Sequence, residues 1–343
     1  MLLDTLKELC ALSGPSGFED PVRNYLERRA KAAGAETRVD ALGNLICEKK
    51  GAISAPHKLL LDAHMDEVGL MVRHITEEGY LKFVTIGGID RRVLLGKPVF
   101  VGDARIPGVI GLKAIHLTTE EERKATPPLK ELCIDIGAGS REEAEKLAQI
   151  GDYAVFSDFM AEFGHGMLKA KAIDDRIGCA ILVEILERDL PIDVTFVFAV
   201  QEEVGLRGAY GAAFSITPEI ALAIEGTSSA DIPTAADSRR VCIPGKGPVI
   251  SYMDRQSVFD EGIFRLLTEL AKENDIPWQT KNVIAGGNDA GAYQRTKTGA
   301  RVGCIATAVR YLHSPSSVAA ISDFEHIEAL TWAFIQAIAQ GRN

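Results

Sequence analysis

Continuous apolar runs, each followed or preceded by a helical pattern, constrain this chain more than any other feature. Strands buried on both faces show such runs, and they occur in parallel sheets that helices cover on both sides. The runs occupy residues 58–63, 194–200, 220–224 and 302–308. Amphipathic or apolar helical patterns lie at residues 2–10, 21–33, 175–188, 208–214, 261–274 and 322–340. We predict an α/β fold built on a doubly wound, mixed sheet.

Residues 68–163 interrupt this alternation. Short segments of alternating polar and apolar residues, separated by glycine-rich turns, predict strands at 69–73, 81–86, 98–101 and 108–110. Their spacing is typical of a small antiparallel barrel or sandwich. Within this stretch we predict a loop over 111–128 and a helix over 140–149 that Ser140 caps. The prediction is therefore a discontinuous domain, residues 1–67 and 164–343, that carries a β-barrel-like insert at 68–163.

Composition excludes several classes of protein. The chain of 343 residues is 46% hydrophobic and 25% charged, which is typical of a globular protein. Its apolar runs fall far short of the roughly 20 residues that span a bilayer, so we expect no membrane partner. A formal charge of −10 disfavours nucleic acid as a partner. The chain start lacks a secretory signal pattern and the six cysteines form no CxxC pair, so we predict a cytoplasmic protein.

Histidine and carboxylate side chains follow the predicted buried strands. Ligands of open α/β sheets bind beyond the carboxyl ends of the strands, so we expect these side chains to converge there. They are His64 and Asp66, Glu202 and Glu203, Glu225, and His313, with Asp174 and Asp175 before a helix.

Neighbouring residues in these segments can take separate roles. His64 and Asp66 share a face of an extended chain, so Asp66 can accept the second ring N–H of a metal-bound His64. Adjacent side chains at a strand end diverge, so one of Glu202 and Glu203 can bind a metal while the other faces substrate as a general base.

Asp174 and Asp175 precede an apolar helix, where an aspartate is a common N-cap. We assign the cap to Asp175 and the functional role to Asp174, although the pattern alone permits the reverse. Glu225 ends a buried strand, where an unpaired carboxylate is costly and a cation would be a partner.

Two histidines and three carboxylates are too many ligands for one tetrahedral zinc with an open position. They fit two divalent cations that share one carboxylate and one bridging water, an arrangement suited to hydrolysis. Imidazole together with carboxylate favours zinc or cobalt over magnesium.

Four motifs in one order carry a resemblance to a known family. They are DAHMDEVG at 62–69, AIDDR at 172–176, EEVGLRGA at 202–209 and RYLHSP at 310–315. Together they resemble the M42 family of dinuclear metallo-aminopeptidases, also called glutamyl or TET aminopeptidases, along essentially the whole chain. The resemblance implies an α/β catalytic domain with an inserted β-barrel dimerisation domain, and dimers that assemble into a tetrahedral dodecamer. It also implies hydrolysis of N-terminal residues from short peptides in the cytoplasm.

The resemblance also implies a role for each candidate residue. Asp174 would bridge two metal ions, Glu202 would be the general base, and Asp66 would support His64. The remaining ligands would be His64 and Glu225 on one metal, and Glu203 and His313 on the other. Family members often carry Asp at position 225, where this chain has the longer Glu225, and many carry Thr at position 288, where it has Asn288.

Two other functions remain open from the sequence. A glycoside hydrolase would use Glu202 and a second carboxylate without metal. A metal-stabilised assembly protein would bind cations without turnover. For a peptidase, Lys246 or Arg255 would favour acidic N-terminal residues if either points into the pocket.

Overall fold

The structure is a computed structural model that describes residues 2–233 and 235–342. Its helices lie mostly outside the segment predicted as an insert. Their bounds are α1 Leu2–Ala11, α2 Asp20–Ala32, α3 Glu120–Arg123, α4 Arg141–Ala144, α5 Ile173–Leu186, α6 Arg207–Ile216, α7 Glu261–Glu273, α8 Ala290–Arg295 and α9 Ile321–Ala339.

The strands form a main sheet, a barrel and a small third sheet. Their bounds are β1 Glu36–Val39, β2 Leu45–Lys49, β3 Leu59–His64, β4 Gly69–Ile75, β5 Leu81–Ile86, β6 Pro98–Val101, β7 Ile106–Gly111, β8 Cys133–Asp135, β9 Tyr153–Phe156, β10 Ala161–Phe163, β11 Met167–Ala170, β12 Val194–Ala199, β13 Ile220–Ser228, β14 Val249–Ile250, β15 Arg301–Val309 and β16 Ser317–Ala320.

The main sheet has seven strands in the order β1-β2-β12-β3-β13-β15-β14. The central strands β12, β3, β13 and β15 run parallel, whereas β1, β2 and β14 pair antiparallel at the edges. Helices α1, α2, α5, α7 and α9 cover one face with an apolar core, and α6 and α8 cover the other. This arrangement confirms the predicted doubly wound, mixed sheet, because its apolar central strands are buried on both faces.

A closed six-stranded barrel interrupts the α/β pattern, in the order β4-β5-β8-β7-β6-β9. Its interior is a separate apolar core that includes Leu70, Phe83, Ile110 and Ile134. The barrel-like architecture predicted between residues 68 and 163 is therefore present. The domain boundaries themselves, 1–67 with 164–343 and 68–163, stay a prediction. Across the described ranges, no helix combines the length and apolar character needed to cross a membrane.

Several elements differ from the predictions, and helix α8 was not predicted. Strand β13 continues to Ser228 because Glu225 to Ser228 pair with Ala306 to Val309 of β15, so Glu225 lies inside the strand. The predicted helix over 140–149 ends at Ala144, although Ser140 caps it by accepting the Glu143 N–H at 3.3 Å. The predicted loop over 111–128 contains α3, which begins at a Thr119–Glu122 capping box.

Candidate active site

The predicted site residues come together at the carboxyl edge of the main sheet. His64 is the last residue of β3, and Glu202 and Glu203 follow β12. Glu225 projects from β13, Asp174 lies in the first turn of α5, and His313 follows β15. These six side chains line one cavity of about 500 Å³. Residues far apart in sequence therefore share one site.

His64 is held by Asp66 on one side and faces carboxylates on the other. Its Nδ1 lies 3.1 Å from the Asp66 carbonyl oxygen and 3.3 Å from Asp66 Oδ1. Both partners accept hydrogen bonds, so Nδ1 carries a proton. Nε2 then faces Asp174 Oδ1 at 3.5 Å, Glu225 Oε2 at 3.8 Å and Glu202 Oε2 at 4.0 Å.

His313 has the same arrangement with different partners. Its Nδ1 lies 2.9 Å from the carbonyl oxygen of Gly88, which can only accept. Its Nε2 lies 3.0 Å from Glu203 Oε1 and 3.6 Å from Asp174 Oδ2. Each histidine therefore directs Nε2 at the carboxylate cluster.

Asp174 lies between the two histidines, one carboxylate oxygen toward each. Gly226 brings the backbone close to it: the Gly226 N–H donates to Asp174 Oδ1 at 3.1 Å, and a side chain at position 226 would clash with that carboxylate. Asp175 instead accepts the Gly178 N–H at 3.0 Å. The backbone of Asp174 and Asp175 is non-helical, so regular helix begins after Asp175, and this bond is the N-cap bond predicted for it. Asp175 also accepts the His64 N–H at 3.3 Å.

Asp66 does more than the sequence indicated. Beyond its contact with His64, its carboxylate accepts the Glu202 N–H at 3.0 Å, the Glu203 N–H at 3.1 Å and the Ser16 hydroxyl at 2.6 Å. Burial opposes its charge, but these bonds and the His64 ring outweigh it and lower the pKa of Asp66. One buried carboxylate thus orients both His64 and the Glu202–Glu203 segment.

The carboxylates of the cluster are buried close together, so their negative charges need a positive charge nearby. Burial, reinforced by neighbouring carboxylates, raises the pKa of Glu202 to about 8 and that of Glu225 well above its usual value. Burial opposes histidine charge, but bonds to Asp174 and Glu203 raise the pKa of His313 to about 11. Oε1 of Glu225 is buried without a hydrogen-bond partner among the described residues. A cation near these carboxylates would replace the protons that otherwise balance their charge.

Potential cation ligands form overlapping sets of three residues. One set is His64, Asp174 and Glu225, and a second is Asp174, Glu203 and His313; within each set the ligand atoms lie within 4.8 Å of one another. His64 also lies close enough to Glu202 and Glu203 to form a third set. Imidazole nitrogen with carboxylate oxygen is a donor combination suited to zinc and its neighbours among the transition metals.

A buried charged cluster beneath the site was missed from the sequence. Lys171 Nζ lies 2.7 Å from Glu67 Oε1, and Arg176 Nη2 lies 3.2 Å from the same oxygen. Arg176 Nε also donates to the carbonyl oxygen of Met65 at 2.9 Å. Met65 is the residue between His64 and Asp66 in the sequence. One sequence signal could have revealed this cluster: Arg176 directly precedes the apolar residues of α5. A buried arginine is rarely found without a partner of opposite charge.

The cavity continues beyond the cluster to a mixed polar wall. It includes Ser251, Asp254, Lys281 and Asn288. Among the basic residues described, Lys281 lines the cavity, and the two basic residues considered from the sequence, Lys246 and Arg255, do not. The conformation of the loops around β14 and α8 decides which lysine or arginine side chain lines the cavity. Distance in sequence from the motifs does not.

Comparison with known proteins agrees with this fold. The M42 glutamyl aminopeptidase model matches residues 43–330. The lysyl aminopeptidase of Pyrococcus furiosus is 31% identical, over 98% of this chain and 97% of its own length. Aminopeptidase APDkam598 of the archaeon Desulfurococcus kamchatkensis is 36% identical with a TM-score of 0.93, covering 100% of this chain and 97% of that one.

A third relative forms large assemblies. The TET1 peptidase of Pyrococcus horikoshii is 36% identical with a TM-score of 0.86, covering 98% of this chain and 99% of its own. It can assemble into a tetrahedron or a large octahedral shell. These matches span nearly the full length of each protein, and the resemblance noted in four motifs extends over the whole fold. The chain therefore belongs to the M42 glutamyl aminopeptidase family of peptidases.

Proposed function

We propose that this protein is an aminopeptidase that removes N-terminal residues from short peptides and depends on two divalent cations, zinc or cobalt. The observation that supports it most is the pair of three-residue donor sets that meet at Asp174. His64 and Glu225 would hold one cation, Glu203 and His313 the other, and Asp174 would contact both. Glu225 reaches the cluster from within β13, so its extra methylene relative to Asp is compatible with ligation.

Glu202 is the proposed proton carrier. When bound, the two cations would polarise the scissile carbonyl and lower the pKa of the attacking water. Glu202 accepts a proton from that water as the water oxygen adds to the carbonyl carbon. It then gives the proton to the departing amine as the C–N bond breaks. The Asp66 carboxylate accepts the backbone N–H of Glu202 at 3.0 Å and so keeps Glu202 in place.

We further propose that the chain acts as a cytoplasmic homo-oligomer, in which residues 68–163 form the dimerisation domain and dimers assemble into a tetrahedral dodecamer. The assembly of the Pyrococcus horikoshii relative supports this. Each of the six cysteines is a free thiol, as a reducing compartment requires.

A panel of aminoacyl-chromophore substrates tests the proposed function. We expect cleavage that a chelator abolishes and that added Zn²⁺ or Co²⁺ restores. Cleavage of a β-glucan that survives the chelator would instead support a glycoside hydrolase. Stoichiometric cation binding with no turnover on any peptide would support an assembly protein.

A further inference from the structure

A loop of the barrel segment reaches the cluster described above. Residues 87–90, named here the 87–90 loop, follow β5 and precede β6. The Gly88 carbonyl oxygen lies 2.9 Å from Nδ1 of His313, which is 225 positions away in sequence. Gly88 and Asp90 also form part of the cavity wall. Part of the active site is therefore built by the segment that carries the barrel.

The hydrogen bond from His313 to this loop determines which ring nitrogen carries the proton and which has an available lone pair. A carbonyl oxygen only accepts, so Nδ1 must be the protonated nitrogen, and a neutral imidazole then has its lone pair on Nε2. Nε2 is the atom that faces Glu203 and Asp174. Partners of this kind fix the tautomer and ring orientation of metal-ligating histidines.

Gly87 brings the same loop against a second member of that donor set. Its φ is +77°, and a Cβ there would lie 2.9 Å from Val68 Cγ1 and 3.3 Å from Glu203 Cβ. The loop therefore packs on Glu203 and bonds to His313, whereas His64, in the other set, is held by Asp66.

We propose that the 87–90 loop is a positioning element for the cation site formed by Asp174, Glu203 and His313. This inference rests on the proposed function, since it concerns a cation that the function requires. The Gly88 carbonyl oxygen holds His313 with Nε2 toward the site. Because Gly87 has no side chain, the loop can pack against Glu203. Displacement of the loop should weaken this site selectively.

Gly87→Ala tests the role of the loop, and Gly137→Ala is its matched control. Gly137 has a nearly identical φ of +78°, but a Cβ there meets nothing within 4 Å. Both variants place a Cβ on a residue with nearly the same positive φ, but only Gly87→Ala pushes the loop away from Val68 and Glu203. The cation-free proteins are titrated with Zn²⁺ by calorimetry, and their folding is checked by thermal unfolding.

We expect two Zn²⁺ binding steps for the unsubstituted protein and for Gly87→Ala, with one step weakened by about 10- to 100-fold in the variant. Gly137→Ala should match the unsubstituted protein. Adding Val68→Ala to Gly87→Ala removes the atom at 2.9 Å and should recover part of the lost affinity.

Three results would overturn the inference. They are unchanged affinities in Gly87→Ala, equal weakening of both steps in that variant, and equal weakening in Gly87→Ala and Gly137→Ala. Each leaves the proposed function standing if the unsubstituted protein still binds two Zn²⁺ ions and cleaves peptides. Failure of the unsubstituted protein to bind either Zn²⁺ or Co²⁺ would overturn the proposed function as well.

Discussion

At the scale of single residues, adjacent glutamates face different partners. Glu202 Oε2 lies 4.0 Å from His64 Nε2, and Glu203 Oε1 lies 3.0 Å from His313 Nε2. Because consecutive side chains at a strand end diverge, one residue can be a ligand and its neighbour a proton carrier. The separate roles of Glu202 and Glu203 lead to a direct test.

Replacing Glu202 by Gln should lower kcat by about 10²- to 10⁴-fold, because the general base is lost while the side-chain shape is kept. Zn²⁺ content, measured by mass spectrometry of the purified protein, should stay unchanged. Glu203→Gln is the matched comparison and should lose Zn²⁺ together with activity. Turnover in Glu202→Gln at the unsubstituted rate would contradict the assigned role.

Glu19 offers a prediction about pH away from the donor sets. Its buried carboxylate accepts the Gly17 N–H at 2.8 Å and the Gln201 N–H at 3.1 Å. Burial, with the nearby Asp66 charge, raises the pKa of Glu19 to about 7 from 4.5. Between these pH values the folded protein keeps a proton that the unfolded chain releases, so this group's contribution to stability falls as pH rises.

Glu19→Gln should remove that pH-dependent cost, because the amide keeps an acceptor oxygen and cannot ionise. The variant should match the unsubstituted protein near pH 4 and exceed its free energy of unfolding at pH 8, by at most about 3 kcal/mol. Denaturant unfolding of both proteins at the two pH values measures this. A stability difference that is the same at both would show that Glu19 does not titrate in this range.

At the scale of elements, a buried ionic contact joins the end of β3 to the start of α5. Glu67 accepts from Lys171 and Arg176, and Arg176 is fully buried. Removal of Arg176 leaves Glu67 paired with Lys171. The buried carbonyl groups of Leu9 and Met65, however, lose the N–H groups that Arg176 donates. Hydrogen bonds to a charged group contribute about 1.5–3 kcal/mol each, more than an exposed ion pair.

Arg176→Met should therefore reduce the free energy of unfolding by about 3–5 kcal/mol, through the loss of these charged hydrogen bonds. Arg265→Ala, which removes an exposed ion pair with Glu261 on α7, should change it by about 0.5 kcal/mol or less. Urea unfolding monitored by circular dichroism compares the two variants. Similar losses in both would mean that the buried cluster contributes no more than a surface contact.

The type and order of the long elements could be predicted from periodicity, but their ends could not. Strand β13 was predicted to stop at Ile224 and continues to Ser228, because β15 supplies hydrogen-bond partners for residues that look like a loop in isolation. The helix after Ser140 is shorter than its pattern, although the cap was predicted correctly. Pairing across the fold, rather than local preference, decides such ends.

At the scale of the whole molecule, the assembly proposal is open to measurement. Light scattering of the purified protein should give a mass of about twelve subunits, because we propose that dimers assemble further into a tetrahedron. A mass of two subunits would keep the proposed dimer and contradict the larger shell. A monomer that retains full peptidase activity would contradict the proposed oligomer altogether.

The α/β class, the β-rich segment and the short set of acids and histidines available to a site could all be predicted from the sequence. Apolar runs and alternation are local properties, and the chemistry of a side chain is visible without its neighbours. Asp174, already assigned the functional role from the sequence, lies between the two histidines. The folded structure was needed to show that Asp66 also holds the Glu202–Glu203 backbone and that Gly88 contacts His313. Those contacts join residues up to hundreds of positions apart, and backbone groups such as the Gly88 carbonyl carry no signature in the sequence.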